Sequence, residues 1–469
     1  MKREILRIQE MNYAGENGRG LDYISLYLLE GEITGFSGLA GSGKELLVEI
    51  LTGGQRYDSG IVSVCGRRIV SSEELADTVY KIVDSNYRIE DWSAAEYIGL
   101  VGAQSPFVML RKKRLAKEIQ DLFDELRLGI DPLKRLRDLT ELEKRLVDVA
   151  KAYFRRAKIL VIEDEFEGFS AEEIVQFKRE LKRLICGRMT VVINNHSDMI
   201  TSILAERLII FKKGRIVKKC RRDEVKDIRH LESFMLGTSI RTKKHSLDRM
   251  NVETNGEKER IYKVNHVITG KGKELGFTFH KGEIVTILAL NRREKEHIFA
   301  VLSGRSCKEG VERILGEEIC DFRDITDCVR SGIVSVARLG DMEELLPSMS
   351  VGENLLVPSL NKLSSLEYTM AEHKLVKMLE KEIGQSGVGS GDRIRALGVN
   401  DRIVLTLERW HVYNSRVMIL LEPFVQCDTY GVSLVKSYMK KIAAGGTCVV
   451  VIKSRDEYMG DISDRFIAV

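Results

Sequence analysis

Short apolar runs rich in β-branched residues recur along the chain and alternate with segments of helical character. The clearest runs are Ile159–Ile162 and Thr190–Ile193 in the first half, and Val417–Leu421 and Cys448–Ile452 in the second. Runs of this length without polar alternation predict strands of a largely parallel sheet that is covered on both faces. The segment Lys113–Leu126 carries apolar residues at helical spacing and predicts an amphipathic helix.

This pattern stops between Thr238 and Arg260, where the chain is polar and charged and has no apolar period. Such a segment is typical of an interdomain linker. A chain of 469 residues is too long for one hydrophobic core and suits two domains of about 200 residues each. We therefore predict a first domain over residues 1–237, a linker over 238–260 and a second domain over 261–469.

One segment of the chain occurs twice. Gly31–Gly53 reads GEITGFSGLAGSGKELLVEILTG, and Gly282–Gly304, which begins 251 residues later, reads GEIVTILALNRREKEHIFAVLSG. Both copies open with Gly-Glu-Ile and close with Leu-x-Gly. Because an internal repeat of this kind reports a repeated fold, we expect the two domains to share one architecture, an α/β fold with a mostly parallel sheet.

The first copy contains a phosphate-binding loop. It reads GLAGSGK and lies between a predicted strand and a predicted helix, where glycines allow successive backbone N–H groups to turn towards phosphates. The Ser or Thr that usually follows the lysine and binds Mg²⁺ is replaced by a glutamate, whose carboxylate is a second candidate ligand for that ion. The predicted nucleotide-binding residues of this loop are Gly38, Gly41, Ser42, Gly43, Lys44 and Glu45.

Acidic residues follow the strand predicted at Ile159–Ile162. Taken alone, they are explained as a solvated turn, but their position 120 residues after Lys44 favours a functional role. Asp164 would then bind Mg²⁺, and Glu165 would polarise an attacking water. His196, which follows the next apolar strand, is a candidate for contact with the γ-phosphate.

The amino-acid composition of the chain indicates which kinds of partner it is expected to bind. Apolar residues form 43% of the chain, which supports ordinary globular folding. The formal net charge of +4, from 74 basic and 70 acidic residues, supplies no basic field of the kind that nucleic acid requires. The eight cysteines include no Cys-x-x-Cys pair and are typical of reduced thiols in a cytosolic protein. No apolar run approaches the roughly 18 residues of a membrane span, so any membrane role is expected to depend on a partner.

The order of these motifs and of several weaker ones resembles the tandem ATP-binding-cassette (ABC) subunit of bacterial sugar importers of the ribose/galactose/xylose type. The resemblance runs almost end to end. Its further fragments are Leu51-Thr52-Gly53, Tyr57–Ile61, Leu139-Thr140, Val149–Ala152 and Ala157–Leu160 in the first half, and Ser350–Leu355, Glu422-Pro423 and Asp428 in the second.

The resemblance implies two tandem ABC-type nucleotide-binding domains of the P-loop class, each with a helical subdomain. It implies ATP and Mg²⁺ as cofactors, with Glu165 and His196 as catalytic residues, Asp164 as the metal ligand and Glu45 as a second candidate. Tyr13 would stack on the adenine as the family's aromatic residue does, although local packing at the end of a strand explains it equally well.

The chain also departs from the family. The signature resembling Leu-Ser-Gly-Gly-Gln is replaced by Leu139–Glu143 in the first half and Leu397–Asp401 in the second, and carboxylates there would repel phosphate. The family's glutamine that links Mg²⁺ to the permease contact is absent near Asp84–Asn86 and near Ala337–Leu339.

The second phosphate loop is degenerate. Three residues, Ala289, Arg292 and Glu294, replace its glycines, and of the charged and glycine positions only Lys295 survives. Leu421 stands where an aspartate is expected to bind Mg²⁺, and Ser454 where the histidine is expected. At most one of the two nucleotide sites is therefore expected to be competent.

Two functional hypotheses follow. In the first, the chain is the ATP-binding subunit of a sugar-type ABC importer, peripheral on the cytoplasmic face of the cell membrane. It would bind integral membrane permease subunits and, through them, a substrate-binding protein. In the second, it is a pseudo-ATPase that acts as a regulatory or structural partner of a transporter or of a second ABC ATPase. Whether ATP is hydrolysed stays open at this stage, and a nucleic-acid partner is not expected.

Overall fold

The computed structural model describes two compact units, residues 1–242 and 243–469. The described residues are 2–15, 20–83, 88–100, 112–163, 166, 169–225, 231, 234–235, 259–269, 272–289, 292–306, 310–362 and 394–469. Most of the predicted linker lies outside this set. The first strand of the second unit begins at Arg260, the last residue of that predicted linker.

The first unit contains two sheets. A four-stranded antiparallel sheet has the order β2-β1-β4-β5, and a six-stranded sheet has the order β10-β9-β3-β8-β7-β6, parallel except for β10. The strands are β1 Glu4–Tyr13, β2 Leu21–Leu29, β3 Ile33–Ser37, β4 Ser59–Val64, β5 Arg67–Ile69, β6 Val79–Ile82, β7 Ile159–Ile162, β8 Thr190–Asn194, β9 Arg207–Lys212 and β10 Arg215–Arg221.

The helices of the first unit lie between these strands in the chain. They are α1 Lys44–Leu51, α2 Ser72–Ala76, α3 Ala94–Leu100, α4 Lys112–Glu125, α5 Glu141–Phe154, α6 Ala171–Ile185 and α7 Asp198–Leu204. The amphipathic helix predicted from sequence is α4, displaced by one residue. Its apolar side chains, with those of α3, α5 and α6, form one core.

Strand β7 shows how the large sheet divides two cores. Ile159 and Val161 pack in the core shared with α1 and the antiparallel sheet, whereas Leu160 and Ile162 pack in the core under the helices. Successive side chains of a strand point to opposite faces, so a strand covered on both sides must be apolar throughout. This is the physical basis of the unbroken apolar runs seen in the sequence.

The second unit repeats this arrangement. An antiparallel sheet has the order β12-β11-β14-β15, and a parallel sheet has the order β16-β17-β18-β13-β19. The strands are β11 Arg260–Ile268, β12 Glu274–His280, β13 Ile284–Leu288, β14 Glu312–Leu315, β15 Glu318–Ile319, β16 Ile333–Val336, β17 Val417–Leu421, β18 Cys448–Lys453 and β19 Arg465–Ala468. The helices are α8 Arg292–Leu302, α9 Ile325–Arg330, α10 Val351–Leu356, α11 Val399–Val412 and α12 Thr429–Ala444.

The repeat seen in the sequence is therefore a repeat of the fold. The strand before the phosphate loop starts at Ile33 in the first unit and at Ile284 in the second. These residues pair with Val191 and Val449 in the neighbouring parallel strands. The prediction of two α/β units with mostly parallel main sheets is confirmed.

A buried ionic cluster ties α5 to the elements beside it. Asp148 of α5 accepts hydrogen bonds from the Tyr97 hydroxyl at 2.7 Å and from Arg145 at 3.1 Å, and forms an ion pair with Arg88. The ammonium of Lys151, one turn further along α5, lies 3.7 Å from the centre of the Tyr97 ring. Burial lowers the pKa of Lys151 to about 8, although Asp148 opposes this shift. One carboxylate thus compensates several buried cations.

None of the helices in the described ranges is both long and apolar enough to cross a membrane.

Candidate functional site

The Gly-rich loop joins β3 to α1. At Gly38, where φ is 157°, a Cβ atom would lie 2.5 Å from the Ser42 Oγ and 2.7 Å from the Phe211 carbonyl oxygen, so no side chain fits. At Gly41, where φ is 75°, no described atom lies within 4 Å of the place that a Cβ would take. The loop is therefore packed tightly on one side and leaves space at Gly41, as a cradle for phosphate requires.

Lys44 and Ser42 bring buried polar groups to this loop. The Lys44 side chain is buried, with 1% of the residue exposed, and its Nζ donates to the Asn195 carbonyl oxygen at 2.7 Å. Among the carboxylates that the structure describes, Glu45 Oε1 lies 4.0 Å from this Nζ. The Ser42 Oγ is buried without a hydrogen-bond partner among the described residues. Buried polar atoms are normally paired, and phosphate oxygens would accept from both side chains.

The adjacent strand places His196 at the same edge of the sheet. Strand β8 lies beside β3, with Asn194 opposite Phe36, so the residues after β8 follow the strand next to the loop. The Asn195 Oδ1 accepts from the Ser197 N–H at 2.6 Å, which fixes the turn that presents the half-buried His196. The predicted contact of His196 with the γ-phosphate stays a prediction.

Strand β7 ends at this edge of the sheet, and Glu163 follows it directly. Asp164 and Glu165, the predicted metal ligand and catalytic acid, lie outside the described residues. The residue before them, Glu163, accepts from the Asn194 Nδ2 at 2.7 Å and forms an ion pair with Lys81. Sequence motifs did not indicate Asn194 or Lys81, because both contacts depend on the order of strands in the sheet.

The two remaining predicted ligands occupy different places. Glu45 is in the first turn of α1 and its side chain is one-third exposed; a role in Mg²⁺ binding stays a prediction. Tyr13 ends β1 and is partly buried, and its hydroxyl accepts a hydrogen bond from the Gln55 Nε2. Gln55 thus anchors the ring within the first unit, and adenine stacking also stays a prediction.

Carboxylates close the helix ends at both signature positions. In the first unit, the Glu143 carboxylate accepts from the Thr140 N–H at 2.8 Å, and the Thr140 hydroxyl accepts from the Glu143 N–H at 3.1 Å. In the second unit, Asp401 accepts from the Gly398 N–H at 3.3 Å. The first arrangement is a capping box. Residues read as an eroded signature therefore have a local structural role.

The second loop has a different electrostatic arrangement. Lys295 is fully buried in α8, and its Nζ donates to Glu422 Oε1 at 2.6 Å and to the Ser454 Oγ at 2.9 Å. Burial by itself would raise the pKa of Glu422, but Lys295 and Lys453 outweigh it and hold that pKa below its ordinary value. The charge of the lysine in the second loop is therefore compensated by a carboxylate of the same chain.

Strand register corrects one sequence assignment. Leu160 of β7 and Met418 of β17 hold equivalent positions relative to the loop strand of their unit. Counting along the chain from this pair, Glu422 aligns with Asp164, the predicted metal ligand. By the same count Leu421 aligns with Glu163. The strand register therefore does not make Leu421 the equivalent of Asp164, and the role of Asp164 as metal ligand stays a prediction.

Lys453, at the end of β18, is expected to make the stability of the second unit vary with pH in the alkaline range. Burial lowers its pKa to about 8, although Glu422 and Glu457 oppose this shift. Because the unfolded chain then binds more protons between about pH 8 and the ordinary lysine pKa of about 10.4, the free energy of unfolding should rise with pH across that window. Lys453→Met is expected to remove roughly 3 kcal/mol of this rise.

Urea unfolding of the full chain at pH 7 and pH 10 measures the effect. Exposed Lys440 provides the control, since Lys440→Met should keep the wild-type difference between the two pH values. An equal difference in the Lys453→Met protein would contradict the prediction.

The described residues contain no group of three or more His, Cys, Asp or Glu side chains placed to hold a metal ion. A Mg²⁺ ion at a phosphate loop does not need such a group, because the nucleotide itself supplies oxygen ligands.

Parallel sheets in which a Gly-rich loop joins the central strand to a helix with a buried lysine define a P-loop nucleotide-binding fold. Comparison with known proteins agrees with this class. Residues 21–166 match the family described as ABC transporter.

Relatives that align with nearly the whole chain are named ribose import ATP-binding protein in several bacteria. "Ribose import ATP-binding protein RbsA 2" of Rhizobium johnstonii is 24% identical and aligns with 99% of this chain and 91% of its own length. "Ribose import ATP-binding protein RbsA" of Clostridium perfringens is 23% identical over 96% of this chain and 90% of its own length. "Ribose import ATP-binding protein RbsA 3" of Rhizobium etli is 25% identical over 99% of this chain and 91% of its own length.

Solved structures of single cassettes also align. The cbiO1 protein from Clostridium perfringens, part of the ABC transporter complex cbiONQ, has a TM-score of 0.41 at 20% identity, over 49% of this chain and 93% of its own. An ATP-binding cassette of an ABC transporter in its ADP conformation has a TM-score of 0.41 at 21% identity, over 50% of this chain and 99% of its own.

Residues 21–166 therefore form a domain that matches the ABC transporter family, and the whole chain, with its two α/β units in tandem, is similar to ATP-binding proteins named for ribose import.

Proposed function

We propose that this chain is the ATP-binding subunit of a sugar-type ABC importer and that it binds Mg²⁺-ATP at the loop of its first unit. The observation that carries the proposal is the state of Lys44. Among the described residues, its nearest partner is a neutral carbonyl oxygen at 2.7 Å, and its side chain is buried. A buried charge of this kind is stabilised by an anionic partner, and a nucleotide phosphate supplies one.

The residues present in the first loop fit such a ligand. The space at Gly41 and the buried Ser42 Oγ lie on either side of one peptide bond, and the N-terminal turn of α1 presents N–H groups with a partial positive charge. Lys44 would offset the charge of the terminal phosphates. Gly38 and Gly43 would allow the loop backbone to curve around them.

The remaining roles rest on position in the motifs. We assign Mg²⁺ binding to Asp164, with Glu45 as a second ligand, orientation of the attacking water to Glu165, contact with the γ-phosphate to His196, and adenine stacking to Tyr13. The match of residues 21–166 to the ABC transporter family supports the assignments of Glu45, Asp164 and Glu165, because that stretch extends from the segment before the loop through the acidic segment. The assignments of Tyr13 and His196 rest on the alignment of relatives over nearly the whole chain.

The partners follow from the relatives. Proteins named for ribose import align over nearly the whole of this chain, which supports a sugar as the transported substrate. We infer that the chain binds membrane permease subunits at the cytoplasmic face of the membrane, and that a substrate-binding protein delivers the sugar to those subunits.

Calorimetry of the purified full chain with Mg²⁺-ATP tests the nucleotide part of this proposal. We expect one equivalent of ATP per chain. Phosphate release, followed on the same samples, should be lost in Glu165→Gln, since the amide cannot accept the proton of the attacking water. Binding without release in the wild-type chain would favour the pseudo-ATPase, and absence of binding at millimolar ATP would overturn the proposal.

Uptake of labelled sugars tests the transport part. Cells that carry Lys44→Ala in place of the native gene are expected to lose uptake of one sugar from a panel that includes ribose, while growth on an unrelated carbon source is unchanged. Uptake of every sugar at the wild-type rate, with the variant present at the wild-type level, would contradict an importer role.

A further inference from the structure

A row of three polar residues lies along the carboxyl edge of the main sheet in the first unit. Lys81 is in β6, Glu163 directly follows β7, and Asn194 ends β8. The three strands are neighbours in the sheet, and the Glu163 N–H donates to the Ile82 carbonyl oxygen of β6 at 2.9 Å. In open α/β sheets, ligands bind at this edge.

All three residues belong to the face of the sheet that α1 covers. Successive side chains of a strand alternate between its two faces. For each member of the row, the residue two positions earlier packs in or against the core that contains the side chains of α1; these residues are Val79, Val161 and Val192. The row is therefore on the side of the sheet where α1 begins with Lys44.

Both oxygen atoms of the Glu163 carboxylate have partners within the row. Oε1 accepts from the Asn194 Nδ2 at 2.7 Å, and Oε2 forms an ion pair with the Lys81 ammonium. The next residue, Asn195, accepts from the Lys44 Nζ through its carbonyl oxygen at 2.7 Å. The row thus connects with the lysine of the phosphate loop. The side chains of Lys81 and Glu163 are 30% and 25% exposed, so the ion pair is accessible to a ligand.

The second unit has neutral residues at all three positions. The register of its parallel strands identifies the equivalents, in the order of the row, as Ser335, Leu421 and Ile452. Both units form the same parallel sheet, so the sheet itself does not need the charged row. The row accompanies the loop that keeps its glycines and is missing beside the loop that has lost them, which indicates a role at the nucleotide site.

A bound nucleotide adds negative charge at this edge of the sheet. Without Lys81, the Glu163 carboxylate would have no cation to offset its repulsion of the phosphates, and such repulsion is strong away from bulk water. Mg²⁺ ordinarily neutralises part of the charge of a bound nucleotide. A lysine ammonium held by Glu163 supplies part of the same positive charge from within the chain.

We propose that Lys81 is an internal cation of the first nucleotide site, which offsets the charge of Glu163 and lets ATP bind with little dependence on Mg²⁺. The inference rests on the proposed function, because it concerns the nucleotide bound at the first loop. It concerns binding and not hydrolysis. Lys81 acts through Glu163 and is therefore a positioning residue.

Calorimetric titration of the full chain with ATP, in Mg²⁺ and in EDTA without added metal, tests the proposal. The two dissociation constants of the wild-type chain are expected to agree within about threefold. Lys81→Ser, which introduces the residue of the second unit, should weaken binding in EDTA by at least about tenfold. In Mg²⁺ the same variant should stay within about threefold of the wild type, because the metal ion replaces the missing charge.

Three further variants separate the charge of Lys81 from its packing. Lys81→Arg keeps the cation and should bind ATP as the wild type does under both conditions. Combining Lys81→Ser with Glu163→Leu removes both charges and should restore binding in EDTA to within about threefold of the wild type. Exposed Lys113 of α4 provides the control, since Lys113→Ser should leave both dissociation constants unchanged.

Equal weakening of Lys81→Ser in Mg²⁺ and in EDTA would overturn the inference, and so would an unchanged affinity of this variant in EDTA. Wild-type binding that weakens tenfold or more in EDTA would overturn it as well, and this comparison decides alone if circular dichroism shows that Lys81→Ser is unfolded. Each of these results leaves the proposed function intact. Absence of ATP binding by the wild type under both conditions would overturn the proposed function together with the inference.

Discussion

Lys44→Met is expected to weaken Mg²⁺-ATP binding by at least about 100-fold. The change removes the buried cation of the first loop and keeps the length of the side chain. Hydrogen bonds from a charged donor contribute about 1.5–3 kcal/mol each, and two of them lost to phosphate oxygens correspond to such a change in affinity. Calorimetric titration of the full chain gives the dissociation constant directly.

The chain contains its own control for this experiment. Lys295→Met removes a lysine of equal burial at the equivalent position of the second unit, and we expect it to leave the ATP dissociation constant unchanged. Thermal unfolding of both variants separates loss of binding from loss of folding. An unaltered affinity in Lys44→Met would show that nucleotide, if bound, is bound elsewhere.

Loss of the charge on Asp148 is expected to produce the largest change in stability. Asp148→Asn leaves Arg88 and Arg145 buried without their carboxylate. Breaking a buried ion pair by removing one partner costs about 3–5 kcal/mol, because the remaining charge stays in a medium of low polarity. The Tyr97 hydroxyl, which donates to Asp148 at 2.7 Å, would keep an acceptor in the amide oxygen. The loss of unfolding free energy would therefore measure the removal of the charge and not the removal of this hydrogen bond.

Urea unfolding of the full chain measures this effect. Exposed Asp121 of α4 serves as the control, since Asp121→Asn should change the unfolding free energy by less than about 0.5 kcal/mol. The first unit should unfold at lower urea in Asp148→Asn, while the transition of the second unit is unchanged. Equal stability of the two variants would contradict the assignment of Asp148 as the compensating charge.

The main strands could be predicted from sequence because burial on both faces leaves a visible mark. Ile159–Ile162 and Val417–Leu421 agree with the structure residue for residue. Strand β19 is different, since its residues alternate between half-buried and exposed, and no apolar run signals it. It forms by pairing with β13. This contact joins residues far apart in the chain, so the local pattern of apolar and polar residues does not predict it.

The candidate site was predictable to a similar extent. The loop with Lys44 follows from spacing, because successive residues must curve around one ligand. The contact of Lys44 with the Asn195 carbonyl and the ion pair of Lys295 with Glu422 join residues more than 120 positions apart. Such contacts depend on strand order and register. The register of the parallel strands also aligns Glu422, and not Leu421, with Asp164. The sequence motif alone did not show this equivalence.

The helix cap at Thr140 has a consequence for the evolutionary history of the chain. A first turn in which a side chain of the same helix already satisfies a backbone N–H has lost part of its attraction for an external anion. Such a cap also stabilises its helix, typically by about 1 kcal/mol. A single substitution that restored an anion-binding end would first destabilise the fold, before any ligand compensated for the change. Loss of an anion-binding helix N-terminus is therefore hard to reverse by single substitutions. Reversion requires the capping residues and the anion-binding residues to change together.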